Sequence, residues 1–127
     1  MQVKIDTREK FHVITLIEPI LAANMTAALD ECLLPFVEKD IRNVVLNMQD
    51  IKDLDNAAAT RILDIQQHFY DQQSSFVICN LQPDVIAILD NAGVLDALNI
   101  TPTESEAWDI VQMEEIEREL MGGDSFN

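Results

Sequence analysis

The fold is decided by residues 43–63, NVVLNMQDIKDLDNAAATRIL, where a continuous apolar run leads through a polar loop into a helical pattern. Residues 43–48 show no alternation of polar and apolar side chains, which is typical of an interior strand covered on both faces. Asp55 and Asn56 are natural N-caps for the helix that follows. Helical spacing predicts that the inward face of this helix consists of Ala58, Ile62, Ile65 and Phe69.

The residues before this stretch predict a hairpin and a helix. MQVKID at residues 1–6 and FHVITLIEP at residues 11–19 are rich in β-branched side chains and are separated by a polar turn. We therefore expect the two runs to pair in antiparallel fashion. After Pro19, apolar residues recur every three or four positions, and Pro35 is expected to kink or close this helical segment. Its apolar face comprises Met25, Leu29, Cys32, Leu33 and Phe36.

The residues after the central stretch continue the alternation of strands and helices. SFVICNL at residues 75–81 predicts a second interior strand, and DALNI at residues 96–100 predicts a short last strand. Between them, Pro83 opens a helix that Gly93 ends. A final helix begins within TPTESEAWDIV, residues 101–111.

The start of that final helix carries Thr103 and Glu106 at capping-box spacing. The predicted order of elements is ββαβαβαβα, which indicates an α/β fold with a mixed, mostly parallel sheet of about five strands and about four helices. Residues 1–120 are predicted to form a single domain without a linker or an internal repeat, and residues 121–127 a disordered tail.

The charge of the chain excludes several classes of partner. The sequence has 23 acidic and 8 basic residues, giving a formal net charge of −15. Nucleic acids and anionic membranes bind proteins chiefly through clustered lysine and arginine, so we predict no nucleic-acid partner. No apolar stretch approaches the roughly 20 residues that span a bilayer, so we also predict no direct insertion into a membrane.

The two cysteines indicate a reducing compartment. Cys32 and Cys79 fall within apolar periodic segments and lack the spacing of a redox or zinc motif. We therefore predict buried, reduced thiols rather than a disulfide. The first ten residues, MQVKIDTREK, contain no apolar core of a signal peptide, so we expect a cytoplasmic protein.

Residues with catalytic or cofactor-binding chemistry are scarce. The three glycines are too few and too scattered for a P-loop or a dinucleotide fingerprint. His12 and His68 lie far apart, and neither has a second ligand at zinc-binding spacing. We predict that the protein is not an enzyme and has no cofactor and no metal.

One acidic cluster offers an alternative to that prediction. Asp50, Asp53 and Asp55 occupy the loop after the central strand, and such loops often bind ligands in open α/β sheets. Three carboxylates suit a hard cation such as Mg²⁺, as in a small metal-dependent enzyme or nucleotide binder. Capping accounts for Asp55, however, and acidic loops are expected in a chain this acidic, so we place this alternative last.

Residues 54–60, LDNAAAT, are the candidate binding site. A helix start after a central strand offers unpaired N–H groups and the positive end of the helix dipole, which favour an anion or the carboxylate of a partner. The small alanines let another surface approach closely. Ordinary helix initiation, with alanine chosen for its helix propensity, explains the same residues equally well.

Two stretches of the sequence resemble the STAS domain, the family of bacterial anti-sigma factor antagonists and of the cytosolic tails of sulphate transporters. VVLNMQDIKDLDNAAATRIL at residues 44–63 is similar to the strand, loop and helix around the family's Asp-Ser-Ser-Gly motif. NLQPDVIAILDNAGVLDALNITPTESEA at residues 80–107 is similar to its later Asn-Leu, Gly-Val-Leu and Thr-x-x-Glu-Ala pattern. The resemblance covers nearly the full chain and implies the STAS fold.

The resemblance also implies a switch, which this sequence lacks at the decisive position. In the family, a partner anti-sigma factor that is also a kinase phosphorylates the second serine of the motif, and the added charge of about −1.5 to −2 breaks the interface. Here Asp55 is retained, but Asn56, Ala57 and Ala58 replace Ser, Ser and Gly. Ala57 has no hydroxyl to modify. Thr60 is the nearest hydroxyl, but it already lies within the predicted helix and is a poor substitute.

The resemblance therefore implies a non-enzymatic interaction module that is similar to an anti-sigma factor antagonist and binds an anti-sigma factor with a GHKL-type kinase fold. The alternative is an accessory STAS subunit of an ABC-type lipid transporter, which docks on the ABC ATPase. The sequence leaves homodimer formation open. The predicted partner-binding residues are Ala22, Asn24, Asp53, Asp55, Asn56, Ala57, Ala58 and Thr60.

Overall fold

The computed structural model describes residues 1–124 of the chain, and side chains as far as residue 121. Strands and helices alternate along this part of the chain. The strands are β1 (Val3–Thr7), β2 (Phe11–Leu16), β3 (Ile20–Leu21), β4 (Asn43–Asn47), β5 (Asp53–Leu54), β6 (Phe76–Cys79) and β7 (Ile100–Thr101). The α-helices are α1 (Thr26–Leu33), α2 (Asn56–Asp71), α3 (Pro83–Asn91) and α4 (Glu104–Asp124).

Five of the strands form one sheet in the order β1-β2-β4-β6-β7. Strand β1 pairs antiparallel with β2, placing Ile5 opposite Ile14, whereas β2, β4, β6 and β7 run parallel to one another. The prediction of an α/β fold with an opening hairpin, a mostly parallel sheet of five strands and four helices is confirmed.

Strand β4 lies at the centre of the sheet and is buried along its whole length. Val44 and Leu46 face the layer formed by α1, α2 and α3, and Val45 faces α4. A parallel strand covered by helices on both faces must be apolar on both, so the absence of alternation in residues 43–48 has its expected cause.

The two helical layers bury cores of different size. On the larger side, Phe69 of α2 packs against Phe76 of β6, with ring centroids 5.0 Å apart. On the smaller side, α4 packs on the sheet, and Trp108 lies 5.5 Å from the ring of Phe11. Helix α4 is therefore the element that shields this second face from water.

A second, two-stranded sheet joins β3 to β5, which the sequence analysis did not predict. Ile20 pairs with Asp53 and Leu21 with Leu54, in parallel register. Leu21 and Leu54 point into the core, whereas Ile20 and Asp53 are exposed. Two residues are too few to show a period in the sequence. This short ladder brings the chain before α1 to the loop that precedes α2.

The predicted strand at residues 96–100 is wrong over most of its length. Residues Leu95–Ala97 form a 3₁₀ turn, and only Ile100–Thr101 pair with β6. The N–H of Ala97 donates to Val94 O at 3.1 Å, and the N–H of Leu98 donates to Leu95 O at 3.2 Å. These local hydrogen bonds use the backbone groups that a longer strand would need.

Other predicted boundaries agree more closely with the structure. The helical segment after Pro19 is α1, which gives way at Pro35 to the 3₁₀ helix Leu34–Glu38. The Glu106 N–H donates to the Thr103 hydroxyl at 3.3 Å, as the capping-box spacing predicts. The Thr103 hydroxyl in turn donates to the Glu106 carboxylate at 3.1 Å, so that carboxylate binds the side chain of Thr103.

Helix α4 extends to Asp124, so residues 121–124 of the predicted disordered tail belong to the helix. Glu, Arg, Leu and Met precede this point, and all four are good helix formers. The rest of the predicted tail, residues 125–127, lies outside the described residues. The boundary of the domain at residue 120 stays a prediction. No helix in the described part of the chain is long and apolar enough to cross a membrane.

A polar cluster anchors α4 to the amino-terminal ends of β4 and β6. The amide of Asn43 donates to Lys10 O at 2.9 Å and to Glu115 Oε1 at 2.7 Å, and its Oδ1 accepts from the Ser75 N–H at 2.8 Å. Nη2 of Arg118 lies 3.0 Å from the Ser75 hydroxyl and 2.9 Å from Glu115 Oε1. The cluster thus ties α4 to the β1–β2 turn and to both central strands.

A second cluster joins α4 to α2 around the edge of the sheet beyond β7. The hydroxyl of Tyr70 donates to Glu114 at 2.8 Å and accepts from the Asn99 amide at 2.8 Å. Burial, followed by the hydrogen bond and negative charge of Glu114, raises the pKa of Tyr70 well above its usual value. Gln66 of α2 donates to Ala97 O at 2.8 Å and accepts from the Asn99 N–H at 2.7 Å.

Both cysteines are free thiols, as predicted. Cys79 is buried, and burial, followed by the negative charge of Glu104, raises its pKa to about 12. Cys32 is only half-buried rather than fully buried, and burial raises its pKa as well. Neither thiol is therefore activated as a nucleophile.

The histidines have separate surroundings. His12 is buried in β2, where Nε2 donates to Ile41 O at 2.8 Å, so that Nδ1 accepts from the Thr7 hydroxyl at 2.9 Å. His68 is exposed in the last turn of α2. His12 thus has a structural role in closing the β1–β2 hairpin onto the segment before β4.

The Glu115 carboxylate makes the anchoring of α4 dependent on pH. Burial alone would raise the pKa of Glu115, but the hydrogen bonds from Asn43 and Arg118 and the positive charge of Arg118 outweigh burial and lower it. A lowered pKa stabilises the folded state above the unfolded pKa, near 4.5, and this contribution is lost as pH falls through the folded value. We predict that Glu115→Gln lowers the free energy of unfolding by about 1 kcal/mol at pH 7. The difference should shrink as pH falls below 4.5 in urea titrations, and a difference independent of pH would contradict this account.

Gly93 ends α3 in a left-handed conformation, with φ of +76°. A Cβ built at this position meets nothing within 4 Å, so only the backbone conformation opposes a side chain. We predict that Gly93→Ala lowers the free energy of unfolding by about 1 kcal/mol in urea titrations. Gly93→Asn is the matched control and should cost less, because asparagine tolerates this conformation. Equal losses for the two variants would contradict the backbone explanation.

Candidate functional site at the start of helix α2

Asp55 caps α2, as its chemistry predicts. Its backbone is extended, with φ of −93° and ψ of 172°, and its Oδ1 accepts from the Ala58 N–H at 3.0 Å. Its own carbonyl accepts from the Ala59 N–H at 3.0 Å. Asn56 is the first residue of the helix rather than a cap. The prediction of a cap is therefore confirmed for Asp55, whose negative charge also suits the positive end of the helix dipole.

The same side chain holds a second segment in place. Oδ2 of Asp55 accepts from the Ala23 N–H at 2.6 Å, and the Asp55 N–H donates to Leu21 O at 3.1 Å. Both carboxylate oxygens are thus used by backbone donors, in the segment before α1 and in α2. Asp55 therefore fixes the surface around it, and each of its oxygens keeps a further lone pair that a partner could contact.

The predicted site residues converge, although not all of them are accessible. Ala22 is half-buried and Ala58 is buried in the larger core, so neither presents a full side chain at the surface. The hydroxyl of Thr60 is exposed and donates to Asn56 O at 3.0 Å. The predicted residues that are exposed at this surface are Asn24, Asp53, Asp55, Asn56, Ala57 and Thr60.

Ala57 is the second residue of α2 and its methyl group faces solvent. The N–H groups of the first helical residues have no carbonyl one turn earlier to bind, and Asp55 supplies an acceptor only to Ala58. The N–H groups of Asn56 and Ala57 are therefore the helical donors left for an outside acceptor. The methyl group of Ala57 is too small to cover these N–H groups, so they remain accessible.

Sequence reasoning missed the apolar border of this surface. Ile17, between β2 and β3, is 43% exposed, and Ile20, the first residue of β3, is 49% exposed. A groove of about 320 Å³ is lined by Ile17 together with Asp50 and Lys52. The signal in the sequence is weak, because the run LIEPI contains isoleucines that belong to neither a strand period nor a helix period.

The acidic cluster considered as a cation site does not form one. The carboxylate of Asp55 accepts backbone hydrogen bonds, and Asp50 and Asp53 are exposed. In residues 1–124, no three His, Cys, Asp or Glu side chains are placed to hold a metal ion together. The chemistry that this surface offers is therefore backbone donors, small side chains and an apolar border, which suits contact with another protein.

Solved structures with a similar fold include several anti-sigma factor antagonists. RsbS from Moorella thermoacetica, in a serine-to-glutamate variant, is 16% identical over 93% of this chain and 99% of its own, with a TM-score of 0.73. An anti-sigma factor antagonist from Mycobacterium paratuberculosis is 12% identical over 87% of this chain and 93% of its own, with a TM-score of 0.74. The anti-sigma factor antagonist SpoIIAA in its unphosphorylated form is 15% identical over 87% of this chain and 96% of its own, with a TM-score of 0.67.

These low identities show a shared fold and nothing finer. No curated protein sequence is significantly similar to this chain. The sequence model of the STAS domain matches residues 2–107, which include every strand of the sheet and the start of α2. STAS anti-sigma factor antagonists are generally non-enzymatic regulatory modules. The chain belongs to the STAS domain family.

Proposed function

We propose that this protein is a regulatory interaction module of the anti-sigma factor antagonist type, which binds an anti-sigma factor with a GHKL-type kinase fold. The observation that supports this proposal is the double role of Asp55, whose carboxylate caps α2 and also binds the Ala23 N–H. This arrangement displays the segment before α1 and the first turn of α2 as one surface. Anti-sigma factor antagonists are among the proteins of similar fold.

The character of the surface favours a protein partner over a small molecule. Small-molecule sites are usually concave and bury most of their ligand, whereas Asn24, Asn56 and Ala57 are all exposed. Ile17 and Ile20 add apolar area at the border, where a partner would remove it from water. In this proposal the open N–H groups at the start of α2 donate hydrogen bonds to a carboxylate or carbonyl oxygen of the partner.

We further propose that the interaction is not switched by phosphorylation of this chain. Ala57, at the position of the family phosphoserine, has no hydroxyl. Thr60 lies one turn further along, and its hydroxyl already donates to Asn56 O. The surface then stays in the state that corresponds to an unphosphorylated antagonist. Binding is controlled by the amount of protein or by the partner.

The absence of catalysis and a cytoplasmic location complete the proposal. The exposed side chains at the start of α2 include no activated nucleophile, and both cysteines are free thiols with raised pKa values. Free thiols are typical of proteins in a reducing compartment.

Substitution of Ala57 tests the proposed surface. Ala57→Glu places a carboxylate where a docked partner would approach, so we expect it to weaken the complex at least about tenfold through repulsion and desolvation. Ala57→Gln is the matched control, because glutamine has nearly the size of glutamate but no charge and no hydroxyl that could be phosphorylated, and it should weaken binding much less. Each tagged full-length variant is used to capture partners from lysate of the host cells, and the captured proteins are quantified by mass spectrometry.

The identity of the captured protein decides between the two partner classes. A GHKL-type kinase retained by wild type and Ala57→Gln but lost with Ala57→Glu would support the proposal. An ABC ATPase with the same pattern would replace it with the transporter alternative. Equal capture by Ala57→Glu and wild type would show that the start of α2 is not the binding surface.

The two roles of Asp55 can be separated by substitution. Asparagine is a good N-cap, so Asp55→Asn keeps an oxygen for the Ala58 N–H, but the amide cannot also accept from Ala23. We predict a stability loss below about 1 kcal/mol for Asp55→Asn and about 1–2 kcal/mol for Asp55→Ala, measured by urea unfolding. Both variants should weaken partner binding, because the Ala23 segment is released in each. Unchanged binding by Asp55→Asn would show that this connection is irrelevant to the interaction.

A further inference from the structure

Helix α4 carries an apolar face that nothing in the described part of the chain covers. Its inner side chains, Ala107 and Val111, are buried against the sheet. Met113, Ile116 and Leu120 follow at steps of three and four residues, and their side chains are 56%, 56% and 66% exposed. We call these three residues the α4 stripe. Together with Met121 they are the most exposed large apolar side chains among the described residues.

The α4 stripe is presented on a firmly held helix. Arg118 and Glu115 bind Asn43 of the central strand, and Glu114 binds Tyr70 of α2. These anchoring residues alternate with those of the stripe along the sequence of α4. Their contacts therefore hold the same turns of the helix that carry the stripe. A partner would therefore meet a surface that is already ordered, which lowers the entropic cost of binding.

The surroundings of the α4 stripe are acidic. Residues 109–121 contain five acidic residues and one arginine. That arginine, Arg118, is paired with Glu115 at 2.9 Å, whereas Glu117 and Glu119 are exposed. On one side of α4, a groove of about 510 Å³ is lined by Tyr70, Glu117 and Met121. On the other side, Ile116 and Glu119 line a groove of about 350 Å³, in which Lys10 is accompanied by Glu9.

We propose that the α4 stripe docks a basic amphipathic helix of a partner protein. An apolar row from Met113 to Leu120 spans about two helical turns, which suits the spacing of anchors in helix-in-groove recognition. Lysines and arginines beside the apolar row of the partner would complement the exposed Glu117 and Glu119. The charge of −15 on the whole chain attracts such a segment from a distance.

Charge also decides against a second copy of this chain as the occupant. Pairing two α4 stripes would bring Glu117 and Glu119 of each copy close to the acidic residues of the other, and repulsion between like charges opposes such an interface. The stripe lies beyond residue 107, where the match to the STAS domain ends. Helices α2 and α4 cover opposite faces of the sheet, so the stripe is separate from the surface under Proposed function.

The test uses the full-length protein with labelled methyl groups of Met, Ile and Leu. The probe is a synthetic helical peptide with leucines on one face and lysines on the other, and a peptide with glutamates in place of the lysines is its control. We expect the lysine peptide to shift the methyl resonances of Met113, Ile116 and Leu120 and to leave those of Ile20 and Ile86 nearly unchanged. The glutamate peptide should not bind.

Three variants sharpen this test. The double variant Ile116→Ser, Leu120→Ser and the charge variant Glu117→Lys, Glu119→Lys should each raise the dissociation constant about tenfold, since one removes apolar contact and the other charge attraction. Ile86→Ser, at an exposed isoleucine of α3, is the matched control and should bind as wild type does. Fluorescence of Trp108, the only tryptophan, checks that α4 remains packed on the sheet.

Several results would overturn the proposal. Equal shifts at Ile20 and Ile86 would show general attraction to an acidic protein, and equal binding of the glutamate peptide would remove the role of charge. A dimer in sedimentation equilibrium that is lost in the Ile116→Ser, Leu120→Ser variant would make a second copy the occupant. Unchanged affinity in both double variants would exclude the α4 stripe. None of these results bears on the Ala57 variants, which test a different surface.

Discussion

The candidate site depends on one carboxylate that satisfies backbone donors from two parts of the chain. Asp55 accepts from Ala58 in α2 and from Ala23 before α1, while its own N–H binds Leu21 O. The start of α2 and the neighbouring loop each leave N–H groups that need acceptors, and the two oxygens of Asp55 provide one acceptor for each segment. The β3–β5 ladder sets the distance that makes this possible, because it holds Leu21 beside Leu54. Hydrogen bonds to backbone groups thus determine the shape of this surface, and the small side chains leave that shape exposed.

A buried polar residue plays the corresponding part at the other end of the sheet. Asn43 opens the central strand, and its side chain binds the β1–β2 turn, β6 and α4 together. A buried amide is costly unless all its groups are paired, and here both its N–H₂ and its oxygen have partners. Arg118 completes the cluster without leaving an unpaired charge, since Glu115 neutralises it. This anchoring makes it possible for a single helix to cover the second face of the sheet while its outer side remains apolar.

Local patterns in the sequence predicted what depends on local chemistry. Strand β4 followed from its uninterrupted apolar run, the inner face of α2 from helical spacing, and the role of Asp55 from its capping preference. The bonds that place the site and anchor α4 join residues distant in sequence: Asp55 and Ala23 are 32 residues apart, and Asn43 and Arg118 are 75 apart. Nothing in a single sequence marks such pairs. The β3–β5 ladder and the exposed isoleucines beside it were missed for the related reason that two residues carry no period.

The interactions that shape the site do not depend on whether position 57 carries alanine or the serine of the family. The first turn of α2 is held by the Asp55 carboxylate and by backbone bonds, and no contact in it requires a hydroxyl at position 57. In the proposed function, alanine in place of the family serine therefore leaves the geometry of the site intact and removes only the means of adding a charge of about −1.5 to −2. In a setting that already includes Asp53 and Asp55, that added charge would have been the strongest change available to this surface. In the proposed function, binding depends on the shape of the site and the family's regulation depends on an added charge. The two properties are separable because different atoms carry them.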